Sequence, residues 1–352
     1  MKHLLLAAAA SFILPVHAQE PAPIPSPGEI AAAAPAKDWI AIPPSDLLVM
    51  NLAPDAKGKP RRVVIQLMPA PFSQGWIGNI RKLAAAHWWD GTSVNRVQDN
   101  YVAQWGDATE KKPLPEGLVT VPEGDYVTTY SPTMFRFRYS QVGRITAAYR
   151  MTGIGFGAPV RYADPYAASA AFVGGFPVAM SLRLRDATEA EGRISLFGPG
   201  TENQNRFSEP DMVWPVHCYG MVGVGRNMSP DTGSGAELYA VIGHAPRHLD
   251  RNIALVGRVI SGIEYLSSLP RGTGQLGFYE DEAERVGIRS IRLASDLPAA
   301  DQPRFEYLST DSVAFVNYAD ARANRRDPFF IRPAGGADIC NIPVPIRPVA
   351  AK

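Results

Sequence analysis

The chain is dominated by short apolar runs, each closed by glycine, proline or polar turn residues. "DLLVMNL" (46–52) and "RRVVIQLMP" (61–69) flank a turn through 54–60 and read as a β-hairpin. "VNRVQDNYVAQWGD" (94–107) alternates apolar and polar residues, as a half-buried hairpin does. Further on, "CYGMVGVG", "AELYAVIG" and "IALVGRVI" read as three strands. "GIEYLSSL" follows as a short helix stopped by Pro270, and "VGIRSIRLA" as one more strand. Many short strands with few helices favour a barrel or a sandwich.

One amphipathic helix stands out. In "SQGWIGNIRKLAAAHWWDG", Trp76, Ile77, Ile80, Leu83, Ala84 and His87 share one face, with Ser73 placed as N-cap and Gly91 as stop. The pattern weakens over 108–215, where "MFRFRYS" and "SLRLRD" read as strands between turn signals such as "FGAP", "GGFP" and "FGPG". The end, "DSVAFVNYADARANRRDPFF", reads as a helix of two to four turns leading into an extended "CNIPVPIRP".

Residues 1–18 carry one lysine, an apolar run and small residues at Val16 and Ala18, the layout of a secretory signal cleaved after Ala18. The run is shorter than the roughly 20 apolar residues a spanning helix needs. No later segment is long and apolar enough to span, so the mature chain is expected to be soluble and exported, and periplasmic in a Gram-negative cell. Residues 19–44 begin with the Pro/Ala-rich "QEPAPIPSPGEIAAAAPAKD" and read as a mobile linker. Of 35 Lys+Arg and 34 Asp+Glu, the signal holds one lysine, which leaves 34 of each. A neutral protein lacks the basic excess that phosphate backbones select for, so nucleic acid is not an expected partner. Cys218 and Cys340 either pair in an oxidising compartment or remain as two free, buried thiols.

Several motifs fail on inspection. The glycines of "GMVGVG" have the wrong spacing for a dinucleotide loop, and the helix that should follow is missing. "TGSGAE" around Ser234 lacks the flanks of a nucleophile elbow. His244 and His248 are four apart, but Pro246 between them argues against a helical metal face, and no third ligand is evident.

"NIRKLA" followed by "GTSVNRVQDNYVAQWGD" resembles the cyclophilin peptidyl-prolyl isomerases, with their Asn-Phe-x-x-Leu helix, Phe-His-Arg-Val strand and Phe-x-x-Gln-Gly-Gly-Asp return strand. "MVGVG…GAELYAVIG…HLDRNIALVGRVISGIEYL" is similar to that family's Met-Ala-x-Ala segment, Ser-Gln-Phe-Phe-Ile strand and Trp-Leu-Asp…Val-Phe-Gly-x-Val run. The resemblance implies an eight-stranded antiparallel barrel closed by two helices over 45–294. That domain would be interrupted by an inserted subdomain at 108–215, set beside the active face, and followed by an extension at 295–352.

By the same resemblance, Arg96 falls on the catalytic arginine and Gln104 on the active-site glutamine. Tyr101 and Tyr239 take the places of pocket phenylalanines, Val102 that of a methionine, and Leu249 matches the pocket leucine. Val222 and Gly223 lie where a substrate backbone docks. Glu237 replaces a glutamine, His248 a tryptophan and Ile253 a histidine. Val94 and Asn95 replace the residues before the arginine, Trp105 replaces a glycine, and Glu237 is placed to pair with Arg96.

The implied function is X–Pro isomerisation in exported, proline-containing polypeptide clients. It requires no metal, cofactor or covalent intermediate. The alternative is a non-catalytic cyclophilin-like chaperone or binding module.

Overall fold

The structure is a computed structural model that describes residues 23–131, 166–186 and 206–349. The signal segment and the strand expected in "MFRFRYS" lie outside the described residues. In chain order the elements are α1 (Pro27–Ala32), β1 (Trp39–Ala41), β2 (Leu47–Leu52), β3 (Arg61–Leu67), α2 (Gln74–Ala85), β4 (Ser93–Val97) and β5 (Val102–Gly106). Then come β6 (Thr128–Thr129), β7 (Ser169–Val173), β8 (Phe176–Asp186), β9 (Arg206–Pro215), β10 (Met221–Val224), β11 (Leu238–Val241) and β12 (Leu255–Ser261). The chain continues with α3 (Glu264–Ser267), β13 (Val286–Leu293), β14 (Phe305–Leu308), α4 (Val313–Ala323) and β15 (Ile346–Pro348).

Eight strands close into an antiparallel barrel in the order β10-β11-β5-β4-β13-β2-β3-β12. Closure leaves no free sheet edge in the barrel. Its interior is filled by alternate residues such as Leu48, Met50, Val63, Ile65, Ala103, Trp105, Leu238 and Ala240. Helix α2 adds Trp76, Ile77, Ile80, Leu83 and Ala84 to the same core. Its ends differ from expectation. Ser73 makes no side-chain cap, the helix stops at Ala85, and His87 turns outward at positive φ so that Trp88 and Trp89 are buried instead.

The near-continuous apolar character of β2 and β3 has a cause on the outer face. Leu47, Val49 and Val64 point away from the barrel interior into a second cluster with Ile42 and Ala294, covered by Leu297, Phe305 and Tyr307. Strands buried on both faces lose the period-two alternation. The cover is a three-stranded sheet, β1-β14-β15, that joins the two ends of the chain.

This finding corrects the linker reading of 19–44 for the described part, 23–44. Pro27–Ala32 is helical, with a capping box between Ser26 and Glu29, and Trp39 is buried under the Arg347 guanidinium at 3.8 Å. Proline and alanine in this segment supply a helix start and small packing surfaces rather than flexibility.

The segment after β5 forms a separate sheet, β6-β9-β8-β7. Arg258 on β12, buried, clamps it to the barrel. Nη1 donates to the Gly175 carbonyl at 2.7 Å, Nε and Nη2 donate to Gln66 Oε1, and the guanidinium lies 4.5 Å from the Phe176 ring centroid. Phe172 packs edge-on against Phe315 of α4.

Cys218 and Cys340 are joined in a disulfide, which resolves the two alternatives and ties the C-terminal extension to the connection between β9 and β10. The bond spans 122 residues, so on a chain-entropy model it contributes roughly 4–5 kcal/mol at most. Cys340→Ser is expected to lower the denaturation midpoint, and reductant to lower that of the wild type alone. Identical midpoints with and without reductant would show that the link carries no stability.

Candidate active site

Strands β4 and β5 pair Val94 with Trp105 and then Arg96 with Gln104, so one extra residue, Asn95, is accommodated between them. This bulge reverses the alternation of β4. Val94 and Val97 both enter the barrel core, and Arg96 is turned to the outer face. On that face the ladder aligns Arg96 with Gln104, Gln104 with Tyr239, and Tyr239 with Gly223, one row across four strands. Val102, Tyr239 and Val241 form a small apolar floor separate from the main core, flanked by Tyr101 and Ile253.

A groove of about 710 Å³ opens over this row. Arg96, Tyr101, Val102, Gln104, Glu237, Tyr239, Leu249 and Ile253 all line it. Arg96 is half-buried and held on three sides. Nε donates to the Leu276 carbonyl at 2.8 Å, Nη1 to Gln104 Oε1 at 3.0 Å, and Nη2 to Gln98 Oε1. The rings of Tyr101 and Phe278 lie 5.8 and 5.4 Å from the guanidinium carbon. Burial draws the arginine below its usual pKa, with Tyr101 and Tyr239 opposing the shift.

Three expected residues sit elsewhere. Val222 is buried in the barrel core, because the pleat of β10 turns it inward. Gly223 is beneath the floor rather than on it: a Cβ there would lie 2.3 Å from the Tyr239 hydroxyl oxygen. The groove is bordered instead by Gly225, Arg226 and Asn227. His248 is exposed and stacks on Tyr101 from outside, at 6.4 Å and 10° between the planes, so it is a neighbour of the groove and not part of its lining.

Among the described residues, none of the inserted sheet lines the groove. Only the leading part of the insertion, through Leu114, borders it among the described residues.

The sequence gives no sign of Leu276 and Phe278, which form the outer wall from a loop without periodicity. Asn95 was detectable in principle, because Val94 and Val97 are three apart and break the alternation of a regular strand.

Glu237 does not pair with Arg96. Its carboxylate packs over Gly106, where a Cβ would fall 1.8 Å from Oε1. Oε2 is buried with no hydrogen-bond partner, and so is Oδ1 of Asn95. Desolvation pushes this carboxyl from the ordinary 4.5 up to about 7, helped by the charge of Asp107 and opposed by the approach of Gln104, the Asp107 amide and Asn95.

Below the floor runs a buried polar chain. The Tyr239 hydroxyl is 2.8 Å from His217 Nε2, and His217 Nδ1 is 2.9 Å from Asp250 Oδ1. Arg247 Nε donates to Asp250 Oδ2 at 2.7 Å. Burial lowers the pKa of His217, against the pull of Asp250. The neutral ring satisfies both neighbours in one tautomer: Nδ1–H donates to Asp250, and Nε2 accepts from the tyrosine. His217 was not legible as a functional neighbour. Asp250 belongs to the "HLDRN" match, which by itself implies no role for it.

The crystal structure of the cyclophilin AquaCyp293 from Hirschia baltica matches 89% of this chain and 94% of its own length, with a TM-score of 0.56 at 21% identity. The chain has the cyclophilin fold. A Cryptosporidium parvum cyclophilin type peptidyl-prolyl cis-trans isomerase, solved in the presence of the dipeptide Ala-Pro, aligns over 70% of this chain and 98% of its own at 9% identity and a TM-score of 0.33. No family model matches the sequence, and no curated protein matches it significantly.

Two substitutions probe the groove without touching the arginine. Glu237 holds its proton more tightly in the folded state than in the unfolded chain. Its stabilising share is therefore complete below pH 4.5 and is lost as pH rises through about 7. Partial exposure keeps the total below roughly 3 kcal/mol. Glu237→Gln should stabilise the protein at pH 8 and flatten the pH 5–8 dependence of the denaturant midpoint; parallel pH profiles for both proteins would contradict the shift. Tyr239→Phe should lower stability by about 1–3 kcal/mol, since it leaves His217 Nε2 buried without a partner. An unchanged midpoint would show that the chain below the floor is not a stabilising network.

Proposed function

We propose that the protein is a peptidyl-prolyl cis-trans isomerase that acts on proline-containing segments of exported polypeptides. The observation that carries this reading is Arg96, aimed by a bulge into a groove whose floor is apolar and whose walls are aromatic. Rotation about an X–Pro bond breaks amide resonance against a barrier of roughly 18–20 kcal/mol. As the amide twists, its nitrogen regains a lone pair and becomes an acceptor. A donor aimed at that nitrogen stabilises the twisted state and not the planar one, which lowers the barrier.

Arginine suits the task because it stays charged and presents five fixed N–H donors. Three are taken by Leu276, Gln98 and Gln104, which fix the plane of the guanidinium and leave one N–H on each terminal nitrogen. Tyr101, Val102, Tyr239, Leu249 and Ile253 offer the proline ring an apolar seat. Residues 1–18 have the layout of an export signal, and a disulfide fits an oxidising compartment such as the periplasm.

Arg96→Ala should slow cis-to-trans relaxation of a short X–Pro peptide about thirtyfold in kcat/KM, the equivalent of one lost transition-state hydrogen bond of about 2 kcal/mol. Peptide binding measured by titration should change far less. A wild-type rate equal to the uncatalysed one would sink the enzyme reading. If the groove still bound proline peptides, the alternative of a non-catalytic binding module would stand, and its support is that three acceptors already occupy the guanidinium.

A further inference from the structure

Beyond helix α4 the chain reads "RRDPFFIR" over 325–332, three large apolar residues in succession between arginines. The base of this loop is fixed from within. Asp327 is buried and accepts hydrogen bonds from Arg325 Nε at 2.6 Å and Nη2 at 2.9 Å. Its carbonyl accepts the Phe330 amide at 2.9 Å, and the Arg325 guanidinium lies 4.3 Å from the Phe330 ring centroid. Phe329 packs edge-on against Phe330 at 5.2 Å. At the tip, Phe329 is 84% exposed and Ile331 96%. Among the described residues, nothing packs over side chains that open.

Charge separates one kind of partner from another. Arg325 answers Asp327, the single acidic residue of the segment, and this leaves Arg326 and Arg332 as exposed cations on either side of the apolar tip. A protruding tip needs a partner that yields around it, and a bilayer interface accepts apolar prongs without a matching pocket. Guanidinium groups bind phosphate with two parallel hydrogen bonds, and a negative lipid surface attracts them.

We propose that residues 325–332 form a membrane-surface anchor that seats Phe329 and Ile331 among the acyl chains of an anionic phospholipid bilayer, with Arg326 and Arg332 on the headgroup phosphates. The contact is peripheral and reversible, since it uses two apolar side chains and two cations. It is independent of the chemistry assigned to the groove.

The six native tryptophans are all buried, so a vesicle-dependent change that Phe329→Trp shows and the wild type lacks would report on the loop. The test mixes that full-length variant with brominated phosphatidylcholine vesicles that contain either no phosphatidylglycerol or about 30% of it. Expected are a blue shift and quenching by the brominated chains in the anionic vesicles, both weakened by salt. In co-sedimentation, Phe329→Ser combined with Ile331→Ser should reduce the partition coefficient about tenfold, with an unchanged circular dichroism spectrum. The exposed position of both residues makes misfolding of that variant a minor concern. No quenching in either vesicle type would overturn the proposal and leave a protein partner as the occupant. Equal quenching in both, or undiminished sedimentation of the double variant, would overturn it as well.

Discussion

The groove depends on one irregularity, the extra residue in β4. In a regular strand Arg96 would share the inward face with Val94, and a guanidinium would enter a core filled by Trp105 and Ala103 while Val97 turned outward. Desolvating a charge there without partners is far costlier than a local break in a ladder. The bulge places the arginine outside, opposite Gln104, while both valines stay within. Every other feature of the row follows from that register: the alignment with Tyr239, the apolar floor, and the outer wall that closes over the guanidinium through the Leu276 carbonyl and the Phe278 ring.

The groove also rests on an unusual amount of buried polarity. On one side Glu237 occupies space that only a glycine at 106 leaves open, with an oxygen that no donor reaches. Beneath the floor, the Tyr239 hydroxyl fits because position 223 has no side chain, and it is anchored through His217 to Asp250 and Arg247. Arg247 also lies 3.7 Å from Asp338, two residues before the disulfide cysteine Cys340. The floor is thus mechanically continuous with the C-terminal extension. A satisfied buried network of this kind fixes a single arrangement, because each member would be left unpaired by any other.

Much of the fold was legible because its strands obey simple periodicity. "RRVVIQL", "AELYAVIG" and "VGIRSIRLA" were readable as β3, β11 and β13 to within a few residues, and α2 by its apolar face. Of the site, Arg96, Tyr101, Gln104 and Tyr239 were legible through their order along two strands. Val222, Gly223 and His248 fall outside the groove lining, because similarity of order does not fix which face of a strand, or which side of a ring, meets the groove. The N-terminal segment was misread for a related reason. Its composition suits a linker, and only pairing with β14, more than two hundred residues away, gives it structure.

The sequence by itself determined the strand periods, the helix face and the residue types that an X–Pro groove would use, since these are local properties of spacing and side-chain chemistry. Tertiary structure alone decided the outward turn of Arg96, the pairing of Cys218 with Cys340, the partners of His217, and the lack of an ion pair between Glu237 and the arginine. Those outcomes depend on which distant segments are brought within a few ångströms of each other and on how much water is left between them. Neither quantity is written in the spacing of residues along a chain.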